Sequence, residues 1–220
     1  MSIPYEIFSI GNNEVKPLVI VNVFEKDGEK LFKILSDIGC RDCYLAVLEP
    51  SDWQIDLSPW KSKAVFPKGD DFGEGADNYI KEICENVVPE IDEKLNHNVS
   101  SYYIAGYSFA GLFALYSLYK TDMFEGAVCA SGSLWFSGFK DYVTGHKMLS
   151  KPKKIYFSLG DRESKTKNPV MRTVDDRTRS IYTFYKDNGT ECIYEMNSGN
   201  HFTETTLRLA KGIKWILLWN

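Results

Sequence analysis

A serine lies in the middle of the chain, within the sequence GYSFAG at residues 106–111. The apolar residues 101–105 before it predict a buried strand, and residues 112–120 after it predict a helix. A serine at a sharp turn from strand to helix projects its hydroxyl out of the sheet, toward a base. The backbone N–H of Phe109 would then lie at a helix N-terminus, where it can bind an oxyanion. The spacing therefore predicts Ser108 as the nucleophile of an acyl-transfer reaction.

A serine hydroxyl needs a base to take its proton, and histidine is suited to that role near neutral pH. The chain has three histidines. His97 precedes a predicted strand and His146 lies in an irregular segment, whereas His201 follows the last predicted strand and precedes the closing helix. Because the carboxyl ends of parallel strands lie on one edge of a sheet, His201 and Ser108 should emerge together. We therefore expect His201 to be the base.

A carboxylate that orients such a histidine is expected between the serine and the histidine in the chain. The predicted strand 155–159 ends in Gly-Asp-Arg-Glu, which offers Asp161 and Glu163. We prefer Glu163, since it lies three residues past the glycine, where the loop has turned away from the sheet. Asp161 stays open as the alternative, and both could instead pair with neighbouring lysines and arginines. Asp175 and Asp176 fit less well because they lie inside a predicted helix.

A second oxyanion donor is expected in the loop after the first apolar strand, at the N–H of Phe24 or Glu25. The His-Gly or Gly-Gly signature that often marks this loop is absent. Aromatic residues on loops at the same edge could bind substrate or could instead cover the core. We expect substrate contacts from Trp53, Trp60 and Trp135. The further candidates are Phe66, Leu134, Phe136 and Phe139.

The composition is that of an ordinary globular protein of 220 residues, with 44% hydrophobic and 25% charged residues. We expect one domain spanning residues 1–220. The net charge of −4 gives no reason to expect nucleic acid as a partner. No apolar run approaches the length of a membrane span, and the N-terminus lacks the pattern of a secretion signal, so we expect a cytoplasmic protein.

Five cysteines, an odd number, fit a reducing compartment better than a disulfide framework. The Cys-x-x-Cys pair at residues 40–43 has no second pair with which to hold zinc. The three scattered histidines also lack the spacing of a metal motif. We therefore expect neither a metal nor another cofactor.

Strands and helices alternate along the chain, which predicts an α/β fold with a mostly parallel, doubly wound sheet and helices on both faces. The segment before residue 16 looks too short to add antiparallel strands, and residues 131–151 are too few for a large lid. The predicted strands are 16–23, 44–48, 101–105, 126–130, 154–159 and 191–196. The predicted helices are 29–38, 76–95, 109–119, 170–186 and 203–218.

The stretch from Ile104 to Trp135, with its Ser-x-Ser-Leu-Trp end, resembles the esterase branch of the α/β-hydrolase superfamily. That branch includes enterobactin-type trilactone esterases and esterase D-like enzymes. The chain departs from its usual pattern at Ala110, where glycine is usual, and in the missing His-Gly motif. The resemblance implies an α/β-hydrolase fold with a minimal lid or none, with Ser108 as nucleophile, His201 as base and Glu163 as acid.

Together these features predict a serine carboxylic-ester hydrolase that acts on small soluble esters through an acyl-enzyme intermediate. Its expected partner is a small-molecule ester. A thioesterase, a peptidase or an acyltransferase would carry the same residues, so these activities stay open. A hydrolase-fold protein that only binds ligands is a further alternative, although such proteins commonly lack one of the three residue types.

Overall fold

A computed structural model describes residues 3–24, 27–65 and 69–218 of the chain. Its strands form one sheet in the order β1-β3-β2-β4-β5-β6-β7. The strands are β1 (Tyr5–Ile10), β2 (Lys16–Asn22), β3 (Cys43–Leu48), β4 (Val99–Tyr107), β5 (Phe124–Ala130), β6 (Lys154–Gly160) and β7 (Glu191–Asn197). The helices are α1 (Gly28–Asp37), α2 (Trp53–Asp56), α3 (Ala76–Glu82), α4 (Val88–Lys94), α5 (Phe109–Ser117), α6 (Phe139–Gly145), α7 (Val174–Asp187) and α8 (Thr205–Ile216).

Every neighbouring pair of strands from β3 through β7 is parallel. Helices α1 and α8 pack on one face of the sheet, against β2 residues such as Val19 and Val21. Helices α3, α4, α5 and α7 pack on the other face, where Leu18 and Ile20 point. The predicted mostly parallel, doubly wound α/β architecture is therefore confirmed.

The central strands are apolar on both sides because helices cover both faces of the sheet. In β2, Leu18, Val19, Ile20 and Val21 are all fully buried. Helix α5 is buried around its whole circumference for the same reason, since it lies directly behind the turn that carries the serine. The helix that follows Ser108 is thus buried along its whole length.

One edge of the sheet differs from the expectation that no antiparallel strand precedes residue 16. Strand β1 pairs antiparallel with β3, with Tyr5 opposite Leu48 and Ile10 opposite Cys43. The strand is only partly buried, so its sequence lacks the continuous apolar run by which the central strands are recognised. The expectation was wrong because a half-covered edge strand needs little apolar sequence.

The helix predicted over residues 76–95 is interrupted. A wide turn at Ile83–Val87 separates α3 from α4, and the N–H of Val88 bonds to the carbonyl of Ile83, five residues back. The turn ends two residues before Pro89, whose ring lacks an N–H and clashes with a regular helical turn. Among the described residues, no helix has both the length and the apolar character that crossing a membrane requires.

Candidate active site

Ser108 lies at the turn between β4 and α5. Its backbone has φ 58° and ψ −120°, a conformation that is unfavourable for a residue with a side chain. Hydrogen bonds on both sides hold it there: Ser108 N–H donates to Ala130 O at 3.0 Å, and Ser108 O accepts from Gly111 N–H at 3.1 Å. The strain is therefore imposed by the surrounding structure, and it turns the hydroxyl away from the sheet.

The turn is closed so tightly that Gly106 has no room for a side chain. A Cβ built there would lie 2.2 Å from the backbone carbon and oxygen of Ala110. Residue 106 must therefore be glycine, whereas position 110 accommodates the methyl group of alanine. The departure from the usual glycine at position 110 is thus compatible with the turn.

Ser108, His201 and Glu163 form a row of hydrogen bonds at the carboxyl ends of β4, β7 and β6. The Oγ of Ser108 lies 3.0 Å from Nε2 of His201. The Nδ1 of His201 lies 2.7 Å from Oε2 of Glu163. With its proton on Nδ1, the imidazole donates to the carboxylate, and Nε2 is free to accept the serine proton.

Asp161, the alternative carboxylate, has a different position. Its Oδ1 accepts the backbone N–H of Gly199 at 2.8 Å, so it braces the loop that carries His201. The structure thus brings Glu163, and not Asp161, to the imidazole. His146 lies at the end of α6 and its Nδ1 contacts Tyr142 O at 2.9 Å, within its own helix.

Glu163 is held by donors on its second oxygen. Its Oε1 accepts from Gly160 N–H at 2.6 Å, Ser131 Oγ at 2.8 Å and Arg208 Nη1 at 3.1 Å. The side chain is only 4% exposed, and this burial by itself raises the pKa of the carboxyl. The hydrogen bonds from His201, Gly160 and Ser131 and the electrostatic attraction to the imidazole outweigh burial, so the pKa of Glu163 lies below its ordinary value. The group is therefore a carboxylate at neutral pH.

Arg208 is a residue of this site that sequence reasoning missed. The side chain is 1% exposed, and its Nη2 donates to Ser198 O at 2.9 Å in the loop before His201. Its Nη1 also lies 3.4 Å from the Tyr107 hydroxyl, which itself donates to His201 O at 2.7 Å. Arg208 and Tyr107 therefore join the acid loop to the histidine loop. The one sequence signal is a charged residue beside the apolar stripe of α8.

A cavity of about 280 Å³ opens over Ser108 and His201. Two aromatic rings flank it and face solvent, Phe24 at 62% exposure and Phe202 at 84%. Phe24 meets Trp53 edge to face, with 5.5 Å between the ring centres. A second cavity of about 270 Å³ adjoins the first, with Phe202 and the start of α8 in both walls. The remaining residues around the first cavity are Asn22, Val23, Asp27, Leu31, Tyr107, Thr205, Thr206 and Leu209.

The expected pocket residues are divided by the structure. Trp53 and Phe24 line the cavity over Ser108. Trp135 borders a small recess of about 20 Å³ on the side of His201 where Glu163 lies. Trp60 packs among aromatic rings beside α6, and its Nε1 donates to Ser137 O at 2.9 Å. The structure therefore gives Trp60 a packing role and does not bring it to this cavity.

The other loop candidates lie in the core or outside the described residues. Leu134, Phe136 and Phe139 are buried in the main apolar cluster. Phe66 and Glu25 fall outside the part of the chain that the structure describes. Of the expected oxyanion donors, Phe109 is the first residue of α5, and Phe24 lies in the loop after β2. Among the described residues, no group of three or more metal-binding side chains comes together.

Comparison with known proteins finds a matching family and a related sequence. A family model described as Putative esterase matches residues 36–209. The uncharacterized protein YbbA from Bacillus subtilis (strain 168) is 22% identical over 178 residues, which are 76% of this chain and 71% of that protein.

Two solved structures share the fold over nearly the whole chain. The siderophore hydrolase EstA from Aspergillus nidulans has a TM-score of 0.70 at 17% identity and covers 96% of this chain and 93% of its own. An IroE-like serine hydrolase from Shewanella oneidensis has a TM-score of 0.73 at 15% identity and covers 97% and 80%. At these identities the two structures establish the fold.

Proposed function

The chain belongs to the Putative esterase family and is a hydrolase, and on this premise we propose that it is a serine carboxylic-ester hydrolase. The observation that carries the proposal is the row Ser108, His201 and Glu163, with contacts of 3.0 Å and 2.7 Å. A serine within hydrogen-bond reach of a base, which is itself oriented by a carboxylate, is the arrangement that activates a nucleophile.

In the proposed acylation step, His201 Nε2 takes the proton of Ser108 as Oγ attacks the ester carbonyl. Glu163 stabilises the imidazolium that forms, and its own charge is maintained by its buried donors. The oxyanion accepts from the N–H of Phe109, at the positive end of α5. The imidazolium then gives its proton to the departing alcohol, and the C–O bond breaks to leave an acyl-serine.

In deacylation the same groups act on water. His201 removes a proton from a water molecule that attacks the acyl carbon, and Ser108 leaves with that proton restored. The carboxylic acid departs and the free enzyme is regenerated. Each proton that His201 takes is returned within the same half-reaction, so the proposed cycle consumes only ester and water.

The cavities support a small ester with an apolar or aromatic portion. A volume of about 280 Å³ lies just below the usual range for small-molecule sites, which begins at about 300 Å³. The neighbouring cavity past Phe202 offers space for the second half of the ester. The Shewanella structure is of a serine hydrolase, and EstA is a siderophore hydrolase. A siderophore ester should therefore be tested as a substrate beside simple esters.

The test combines hydrolysis of p-nitrophenyl acetate and butyrate with fluorophosphonate labelling, in wild type and Ser108→Ala. Turnover and labelling should both disappear in the variant, whose thermal unfolding should match wild type. His201→Ala should lose activity in the same way, whereas His146→Ala, an exposed histidine elsewhere, should retain it. Turnover that survives Ser108→Ala would overturn the proposal. If Ser108 is labelled but wild type hydrolyses an added thioester and neither p-nitrophenyl ester, the protein is a thioesterase instead.

A further inference from the structure

Asn22, the last residue of β2, has a buried side-chain amide that is only partly hydrogen-bonded. The residue is 1% exposed and contributes to the wall of the cavity over Ser108. Its Oδ1 accepts from the Tyr79 hydroxyl at 2.7 Å. Its Nδ2 is buried, and among the described residues it has no hydrogen-bond acceptor. Leaving a buried donor unpaired costs free energy, so a hydrogen-bond acceptor bound in the cavity would stabilise this amide.

Tyr79 fixes the direction of this amide. The tyrosine is buried on α3 and packs edge to face on Phe113, with 5.4 Å between the ring centres. Burial raises the pKa of Tyr79, so the hydroxyl keeps its proton and donates to Oδ1. With Oδ1 held by Tyr79, Nδ2 is fixed at the opposite edge of the planar amide group. The donor is therefore preorganised, as a group that stabilises a transition state has to be.

Strand register brings Asn22 to the base of the serine turn. It is paired with Gly106 on the neighbouring strand, two residues before Ser108. Because side chains alternate along a strand, Asn22 points to the same face as Ile20. That face is covered by α5, since Ile20 belongs to the cluster that contains Phe109. The unpaired amide and the N–H of Phe109 thus lie on the same side of the sheet, next to the nucleophile.

We propose that the side-chain amide of Asn22 is an oxyanion-hole donor that acts together with the N–H of Phe109. When Ser108 attacks, the carbonyl oxygen becomes negatively charged and accepts hydrogen bonds from both groups. A side-chain amide thereby supplies the donor for which the loop after β2 lacks a His-Gly or Gly-Gly signature. This inference rests on the proposed function, because it assigns a role in the same acyl transfer.

The first experiment measures kcat and KM for p-nitrophenyl acetate with Asn22→Leu, which keeps the branched shape of the side chain and removes the donor. We expect kcat to fall by about 10²- to 10³-fold, the usual effect of losing one such donor, with little change in KM. Tyr79→Phe is the matched control, since it removes the orienting bond and keeps the donor. Its loss of kcat should be clearly smaller. Thermal unfolding of both variants separates this effect from a loss of fold.

A second measurement detects contact with the oxyanion itself. A thionoester carries sulfur in place of the carbonyl oxygen, and sulfur accepts hydrogen bonds poorly. Asn22→Leu should therefore slow the ester far more than the thionoester, so that the ratio of their kcat/KM values falls at least tenfold. A packing role would slow both substrates alike and leave the ratio unchanged, which would overturn the inference.

The outcome also separates this inference from the proposed function. If wild type neither hydrolyses esters nor labels at Ser108, the esterase proposal fails before Asn22 is examined. If wild type is active and Asn22→Leu keeps its kcat and its ester-to-thionoester ratio, only the role of Asn22 is refuted. A loss of kcat with a collapsed ratio and an intact fold supports it.

Discussion

Removing the charge of Arg208 should be among the most damaging single changes outside the row of Ser108, His201 and Glu163. Its guanidinium is 1% exposed and lies 3.1 Å from Glu163, which is 4% exposed. With an effective dielectric constant of about 20, two charges at this separation attract by about 5 kcal/mol. Deleting one member of a buried pair typically costs about 3 to 5 kcal/mol, because the other charge stays behind without compensation. We therefore expect Arg208→Met to lower the free energy of unfolding by about 3 to 5 kcal/mol.

A matched control lies three residues further along the same helix. Lys211 pairs with Glu195 at 2.8 Å, but the two side chains are 40% and 33% exposed. Solvent screens such a pair, so Lys211→Met should cost no more than about 1 kcal/mol. Arg208→Lys should fall between the two, since it keeps the charge and loses the second nitrogen that donates to Ser198 O.

The assay is urea unfolding at neutral pH and at pH 5, with kcat/KM measured on the same samples. Removing a positive charge 3.1 Å from Glu163 should raise the pKa of this carboxyl, so the folded variant should bind more protons than folded wild type at acidic pH. The stability difference between them should accordingly be largest at neutral pH and should shrink as pH falls. If Arg208→Met costs no more than Lys211→Met, or if the difference is independent of pH, the reasoning about a buried compensating charge is refuted.

Three further outcomes are expected. Gly106→Ala should lower the free energy of unfolding by about 3 kcal/mol, because the added Cβ meets the backbone of Ala110 at 2.2 Å. Gly145→Ala is its control: a Cβ there has nothing within 4 Å, so the same denaturation assay should show a change of no more than about 0.5 kcal/mol. Glu163→Gln should lower kcat by about 10²- to 10⁴-fold, and Asp161→Asn should lower it less; the reverse order in ester hydrolysis would make Asp161 the acid. The pKa of Glu163 is lowered from its ordinary 4.5, so the carboxylate stabilises the fold above that pH and this stabilisation is lost as pH falls through the lower folded value. The free energy of unfolding of Glu163→Gln should therefore depend less on pH between about 3 and 6 than that of wild type.

The sequence was most informative where the chain is locally constrained. The turn at Ser108 could be read from small residues between an apolar strand and an apolar helix, since each of these features leaves its own pattern. His201 followed from element order, because parallel strands deliver their carboxyl ends to one edge. The weakly buried strand β1 left no such pattern and was missed.

Side chains that meet across the fold were harder to anticipate. Trp60 and Trp53 lie in the same irregular stretch, and nothing local indicated that only Trp53 would line the cavity. The sequence did not single out Arg208, because a sequence does not record which helix positions face a buried carboxylate. The sequence also gave no reason to single out Asn22, whose bond to Tyr79 and buried unpaired amide are seen only in the folded chain.

The sequence by itself determined the doubly wound sheet, the turn that exposes Ser108 and the order of serine, carboxylate and histidine. These depend on residue type and on spacing along the chain. Only the tertiary structure shows which of Glu163 and Asp161, two residues apart in one loop, contacts the His201 imidazole. Hydrogen bonding is directional and short-ranged, so the choice depended on where the loop after β6 is anchored, and Gly160, Ser131 and Arg208 anchor it from three separate elements.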